Sequence, residues 1–126
     1  MNPEPCLDTA TIEKLMKIGG KAFVIQMIDL FVNYIPKKLA EARAAEQSGD
    51  LLAVKQAVHP IKSGAGHIGA GPMADLAARI EQLASDQRAE PVAGLLAELD
   101  AAYVQVKSRL EQQRESLAAH DTENGQ

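Results

Sequence analysis

The chain has 126 residues, 46% of them hydrophobic but only 3% aromatic, and a formal net charge of −4; that length allows one domain with a modest core. Its wealth of Ala, Leu, Glu, Gln and Lys favours helix, while the acidic balance argues against a nucleic-acid or anionic-membrane binder, which needs a basic face. The single cysteine, Cys6, excludes an internal disulfide and fits a reducing compartment, and no apolar run is long enough to span a bilayer.

The opening MNPEPCLD has no basic segment followed by an apolar stretch, so no secretory signal is visible and a cytoplasmic location is expected. Asp8 or Thr9 can cap a short first helix carrying Ile12, Leu15 and Ile18, with Gly19-Gly20 as its stop. A long second helix is predicted from about Lys21, its stripe formed by Val24, Met27, Ile28, Phe31, Ile35, Leu39 and Ala42. Pro36 lies within it and is expected to kink it. Ser48-Gly49-Asp50 supplies a stop and a new cap.

The third helix carries Leu51, Val54, Val58, Ile61, Ala65 and Ile68 in alternating steps of three and four. Gly69-Ala70-Gly71-Pro72 breaks it and starts a fourth with Met73, Leu76, Ile80 and Leu83. A polar stretch, residues 85–90, leads through Pro91 to a last helix with Val92, Leu95, Leu99, Val106 and Leu110. The fold class expected is all-α: an antiparallel four-helix bundle with a short extra N-terminal helix across one end. Residues 1–6 read as an extension, 7–116 as the domain, and 117–126 as a disordered polar tail.

Within the third helix, QAVHPIKSGAGHIGAGP (residues 56–72) combines a histidine, a lysine three residues on and several small residues. His59 flanks the apolar stripe, and its helical neighbours are Lys55, Lys62, Ser63 and Gly66: two cations and two residues that leave space. Gly64 and Gly66 each cost a helix about 1 kcal/mol relative to Ala, which close approach of another molecule would offset. If the helices on either side of Ala70 run antiparallel, residues whose numbers sum to about 140 lie level, which sets Glu81 opposite His59. A carboxylate there can accept the Nδ1 proton and leave Nε2 free as a nucleophile.

"AVHPIKSGAGHIGA" resembles the signature of histidine-containing phosphotransfer (HPt) domains: His, any two residues, Lys, a small pair, and Gly-Ala ten and eleven residues after the His. "GGKAFVIQMIDLF", "SGDLLAVKQAVH" and "LAARIEQLA" extend the likeness over roughly residues 7–110. The resemblance implies that His59 is the phosphoacceptor, that Lys62 neutralises phosphoryl oxygens, and that Glu81 orients the imidazole. It implies a partner surface at Ser63, Gly64, Gly66 and His67, bordered by Ile12, Leu15 and Met16. Two features depart from the pattern: Pro60 removes the donor that would bond the Gln56 carbonyl, and His67 stands where an amide or other polar residue is common.

The function expected is a monomeric phosphoryl carrier without a kinase site of its own. It would accept a phosphoryl group on His59 from a receiver-domain aspartate, or from a histidine kinase, and pass it to a response-regulator aspartate. No cofactor is expected on the chain, since any divalent metal belongs to the partner receiver domain, and neither nucleic acid nor membrane is expected as a partner. An HPt-like module that docks a partner without phosphotransfer is the alternative. A di-iron bundle built on Glu-x-x-His is disfavoured, because the residues three before the histidines are Gln56, Gly64 and Leu117.

Overall fold

A computed structural model describes the backbone of residues 6–124 and the side chains of residues 6–119. Four helices follow in order: α1 (Thr9–Gln47), α2 (Leu51–His67), α3 (Gly71–Ser85) and α4 (Val92–Asn124). α1 packs on α2 and α4, and α3 packs on the same two, which closes a four-membered ring around one core. The longest fully buried side chains are Ile28, Ile35, Ile61, Ile68, Met73, Ile80, Leu99 and Leu110, so each helix contributes a 3.6-period stripe.

The expected short first helix is the N-terminal leg of α1. Asp8 caps it by accepting from the Ala10 amide at 3.0 Å, and Gly20, at φ 81° and ψ −176°, separates the leg from the rest. That backbone region is essentially closed to residues with a Cβ. The leg lies against the α2–α3 turn, where the Asp8 amide donates to the Gly69 carbonyl at 2.8 Å.

Pro36 does not interrupt α1: Gly20 is the one position within the helix with non-helical dihedrals. The Val32 carbonyl, which loses its amide partner to the proline, accepts instead from Tyr103 Oη of α4 at 2.9 Å. The tyrosine ring packs on Phe31 with centroids 6.1 Å apart. Burial raises the Tyr103 phenol above its ordinary range, which keeps it a donor. An interhelical bond thus replaces the missing intrahelical one.

Some stripe residues lie outside the buried core; Leu15, Met27 and Leu51 are half-buried. Ile18, two residues before the break at Gly20, is 67% exposed. Leu76 and Leu83 are half-buried, while Ala77 and Ala84 are buried where α3 approaches its neighbours. α4 remains helical through Asn124, and Leu117 packs against the core. The tail expected from residue 117 therefore begins as helix; the side chain of His120 and residues 1–5 of the expected extension lie outside the described residues.

The turns share one mechanism. After α2, the Ala70 amide bonds the Ala65 carbonyl at 2.8 Å and the Gly69 amide bonds the Gly66 carbonyl at 3.3 Å, with Gly69 at φ 87°. This is a Schellman motif with glycine at its left-handed position. α3 ends the same way through Arg88 to Leu83 and Gln87 to Ala84, but there the left-handed residue is Gln87, at φ 59°. A non-glycine residue in that region costs about 1 kcal/mol. Gln87→Gly is therefore expected to stabilise the protein by about 0.5–1 kcal/mol, raising the thermal midpoint by a few degrees. An unchanged or lower midpoint would refute that account of the turn.

Candidate functional site

The register of α2 against α3 decides the site. The break at Ala70 is so tight that the two helices return antiparallel, bringing His59 and Glu81 together as the sum of 140 predicts. His59 Nδ1 lies 2.7 Å from Glu81 Oε2, and Lys62 Nζ lies 2.9 Å from Glu81 Oε1. One carboxylate thus holds both groups, a bridge that the sequence analysis missed for Lys62. The signal was present: Lys62 is one helical turn beyond His59, on the flank that faces Glu81.

The exposures are graded. The His59 side chain is 59% exposed, Lys62 40% and Glu81 only 16%. The carboxylate is sheltered and the imidazole is open. Burial works against ionisation of Glu81, yet the hydrogen bonds from Lys62 and then His59, with their charges, outweigh it and hold the carboxyl below its ordinary range. Its pairing with Lys62 and His59 thus favours the anion. A carboxylate so placed can accept a proton carried on Nδ1, the arrangement that leaves the Nε2 lone pair available.

Around His59 the small residues divide. Ser63 and Gly66 are exposed, and a Cβ on Gly66 would meet nothing within 4 Å. Gly64 is half-buried: its Cβ would make ordinary contact with Ile35 and Phe31 of α1, at 3.5 and 3.8 Å. It forms the floor of an open groove of about 240 Å³ between α1 and α2, lined also by Met27, Leu30, Tyr34, Pro60 and His67. Leu30 and Tyr34 are 61% and 45% exposed, one helical turn apart.

The three residues expected at the border of that surface differ in burial. Ile12 is 4% exposed and belongs to the core, and Leu15 and Met16 are half-buried against it. The exposed apolar margin comes from Leu30 and Tyr34 instead. They sit off the buried stripe of α1, as surplus apolar residues on its outer flank. His67 is exposed on the rim of the groove, away from the His59–Glu81 pair.

The model of the Hpt domain family matches residues 26–116. The chain belongs to the Hpt domain family. Hpt domains are phosphocarriers of phosphorelays rather than kinases, and they interact with receiver domains or kinases. A solved structure, that of histidine-containing phosphotransfer protein B from Pseudomonas aeruginosa PAO1, is similar with a TM-score of 0.85. At 23% identity, over 90% of this chain and 98% of that one, it shows that the Hpt bundle is the shared fold. Comparison with curated proteins finds no match. Among the described residues, no helix of this Hpt domain is long and apolar enough to cross a membrane.

Proposed function

We propose that this Hpt domain carries a phosphoryl group between receiver domains, with His59 as the acceptor. The observation that supports this best is the division of labour on the imidazole: Nδ1 is held by Glu81 at 2.7 Å while the ring is 59% exposed. In the step proposed, the Nε2 lone pair attacks the phosphorus of a receiver's aspartyl phosphate. A P–N bond forms, the P–O bond to the aspartyl group breaks, and the aspartate leaves as carboxylate. The ring gains positive charge, which the Glu81 anion facing Nδ1–H stabilises. Transfer to the aspartate of a second receiver, in a response regulator, reverses these bond changes.

Lys62 has a charge to offer once the phosphoryl oxygens arrive. Its ammonium is 40% exposed and tethered only at Glu81, so a rotation about its own stem would bring it to the new anion. The divalent cation is assigned to the receiver, since the carboxylate beside His59 already spends one oxygen on His59 and the other on Lys62. The receiver would approach over Ser63 and Gly66, where nothing projects, with Leu30, Tyr34 and His67 along one margin. The receiver of a hybrid sensor kinase and that of a response regulator both fit this description. Residues 117–126 are given no part in transfer, and the working species is proposed to be the monomer in the cytoplasm.

The test is incubation with a phosphorylated receiver domain. The expected result is phosphate on this chain that is labile in acid and stable in base, as a phosphoramidate is. Acid-stable phosphate, or none from any receiver while the protein remains folded, would overturn the proposal in favour of a docking module.

A further inference from the structure

α2 carries two lysines and two histidines but no acidic residue, in a chain where acids outnumber lysines and arginines by 17 to 13. Its two flanks differ. At about 100° per residue, Pro60, Gly64 and His67 fall on the side of His59 toward α1, where the apolar groove opens. Lys55 and Lys62 fall on the other side, toward Ser85 and Glu81 of α3. The phosphoacceptor thus stands between an apolar margin and a cationic one.

The two lysines are not equivalent. Lys62 is held by Glu81 at 2.9 Å and is assigned above to the phosphoryl oxygens. Lys55 makes no hydrogen bond or ion pair among the described residues. It is half-buried beside an open cleft of about 360 Å³ that it lines with Leu52, Ala84, Ser85 and Gln87. The acids along this margin are already engaged. Glu81 gives one oxygen to His59 and the other to Lys62, and Asp50 caps α2 by accepting from the Ala53 amide at 3.0 Å. The residues one helical turn from Glu81 are Ala77, Ala78, Ala84 and Ser85, which carry no charge.

A receiver centred on His59 would cover this lysine. A standard interface takes about 800 Å² from each partner, a patch about 30 Å across. Lys55 lies one turn from His59, about 6 Å along the helix axis. Building on the phosphotransfer reading, we propose that Lys55 is a specificity-determining residue, pairing with a carboxylate of the docked receiver. With the apolar groove on the opposite side of His59, that pair fixes which way round the receiver lands. A receiver presenting lysine or arginine at the same edge would be rejected by like-charge repulsion.

The experiment compares wild type, Lys55→Gln and Lys55→Glu. A panel of isolated receiver domains, phosphorylated with acetyl phosphate, first identifies one that transfers to wild type. The second-order rate of that transfer is then measured at low salt and at about 0.5 M salt. Phosphoramidate, which phosphorylates histidine directly and needs no docking, supplies a rate for the imidazole alone. At low salt the receiver-driven rate is expected to fall about three- to fivefold in Lys55→Gln, the value of one exposed ion pair, and about tenfold in Lys55→Glu. High salt should shrink both losses, and the phosphoramidate rate of Lys55→Gln should stay within about twofold of wild type. Changing the acidic residues of that receiver to lysine one at a time should then find one that restores transfer to Lys55→Glu. A wild-type rate in Lys55→Glu overturns the proposal. An equal fall in the phosphoramidate rate also overturns it, by placing Lys55 on the phosphoryl group, as does failure of every receiver change to restore transfer. Should no receiver transfer to wild type, the phosphotransfer reading fails and this inference with it.

Discussion

Replacing His59 by glutamine is expected to abolish phosphoryl acceptance while leaving the bundle folded. The His59 side chain is 59% exposed and touches no core residue that depends on it. Its one strong contact is Glu81, which keeps Lys62 as a partner in the variant. The stability change should accordingly stay within about 1 kcal/mol, as for exposed substitutions generally. The neighbouring variants grade the mechanism. Lys62→Ala removes one charge-assisted donor, worth about 1.5–3 kcal/mol, and should slow transfer about 10- to 100-fold. Glu81→Gln can still accept from Nδ1–H but cannot serve both His59 and Lys62 as a carboxylate does, so a mild loss is expected. Glu81→Ala removes the tautomer lock and the facing charge together and should rank below it. Transfer rates from one phosphorylated receiver check the series; residual acceptance in His59→Gln, on His67 for example, would break it.

Gly69→Val is expected to cost about 3 kcal/mol, lowering the thermal midpoint by ~10 °C, because two penalties coincide. Gly69 holds φ 87°, where a β-branched residue is strained, and a Cβ there would lie 2.8 Å from Thr11 Cβ and 3.0 Å from the Asp8 carbonyl oxygen. The N-terminal leg would have to lift from the α2–α3 turn. Gly66, three residues earlier, supplies the contrast. It is helical and a Cβ would meet nothing, so Gly66→Ala should stabilise by about 1 kcal/mol while a bulkier residue slows transfer by obstructing the receiver. Thermal melts of both variants separate the two roles. A Gly69→Val protein as stable as wild type would contradict the structural role assigned to that glycine.

This contrast shows how far the sequence could be read. The helices were legible because the apolar steps of three and four in residues 51–68 have no competing period. The His59–Glu81 pair was legible because a break as short as the one at Ala70 fixes the antiparallel register. Gly69 was legible as part of the break after the third helix, but Gly64 and Gly66 looked alike as letters. One floors a groove and the other lies open, and the packing of α1 distinguishes them. The exposed apolar surface was not located by periodicity, for a related reason. Periodicity places Ile12, Leu15 and Met16 on an apolar face but says nothing about what covers it, and the fold buries Ile12 while leaving Leu15 and Met16 half-buried. Leu30 and Tyr34 were passed over because their apolar character fell outside the stripe. The donor that takes up the carbonyl freed by Pro36, Tyr103, lies 71 positions from Val32 in the chain and leaves no local trace.

The central claim is that one imidazole nitrogen is anchored and the other receives the phosphoryl group. Phosphorus and nitrogen NMR of labelled protein, before and after incubation with a phosphorylated receiver, tests it most directly. The expected result is a P–N bond at Nε2 of His59, with the Nδ1 proton still hydrogen-bonded to Glu81. Phosphate on Nδ1 of His59, or on His67, would contradict it.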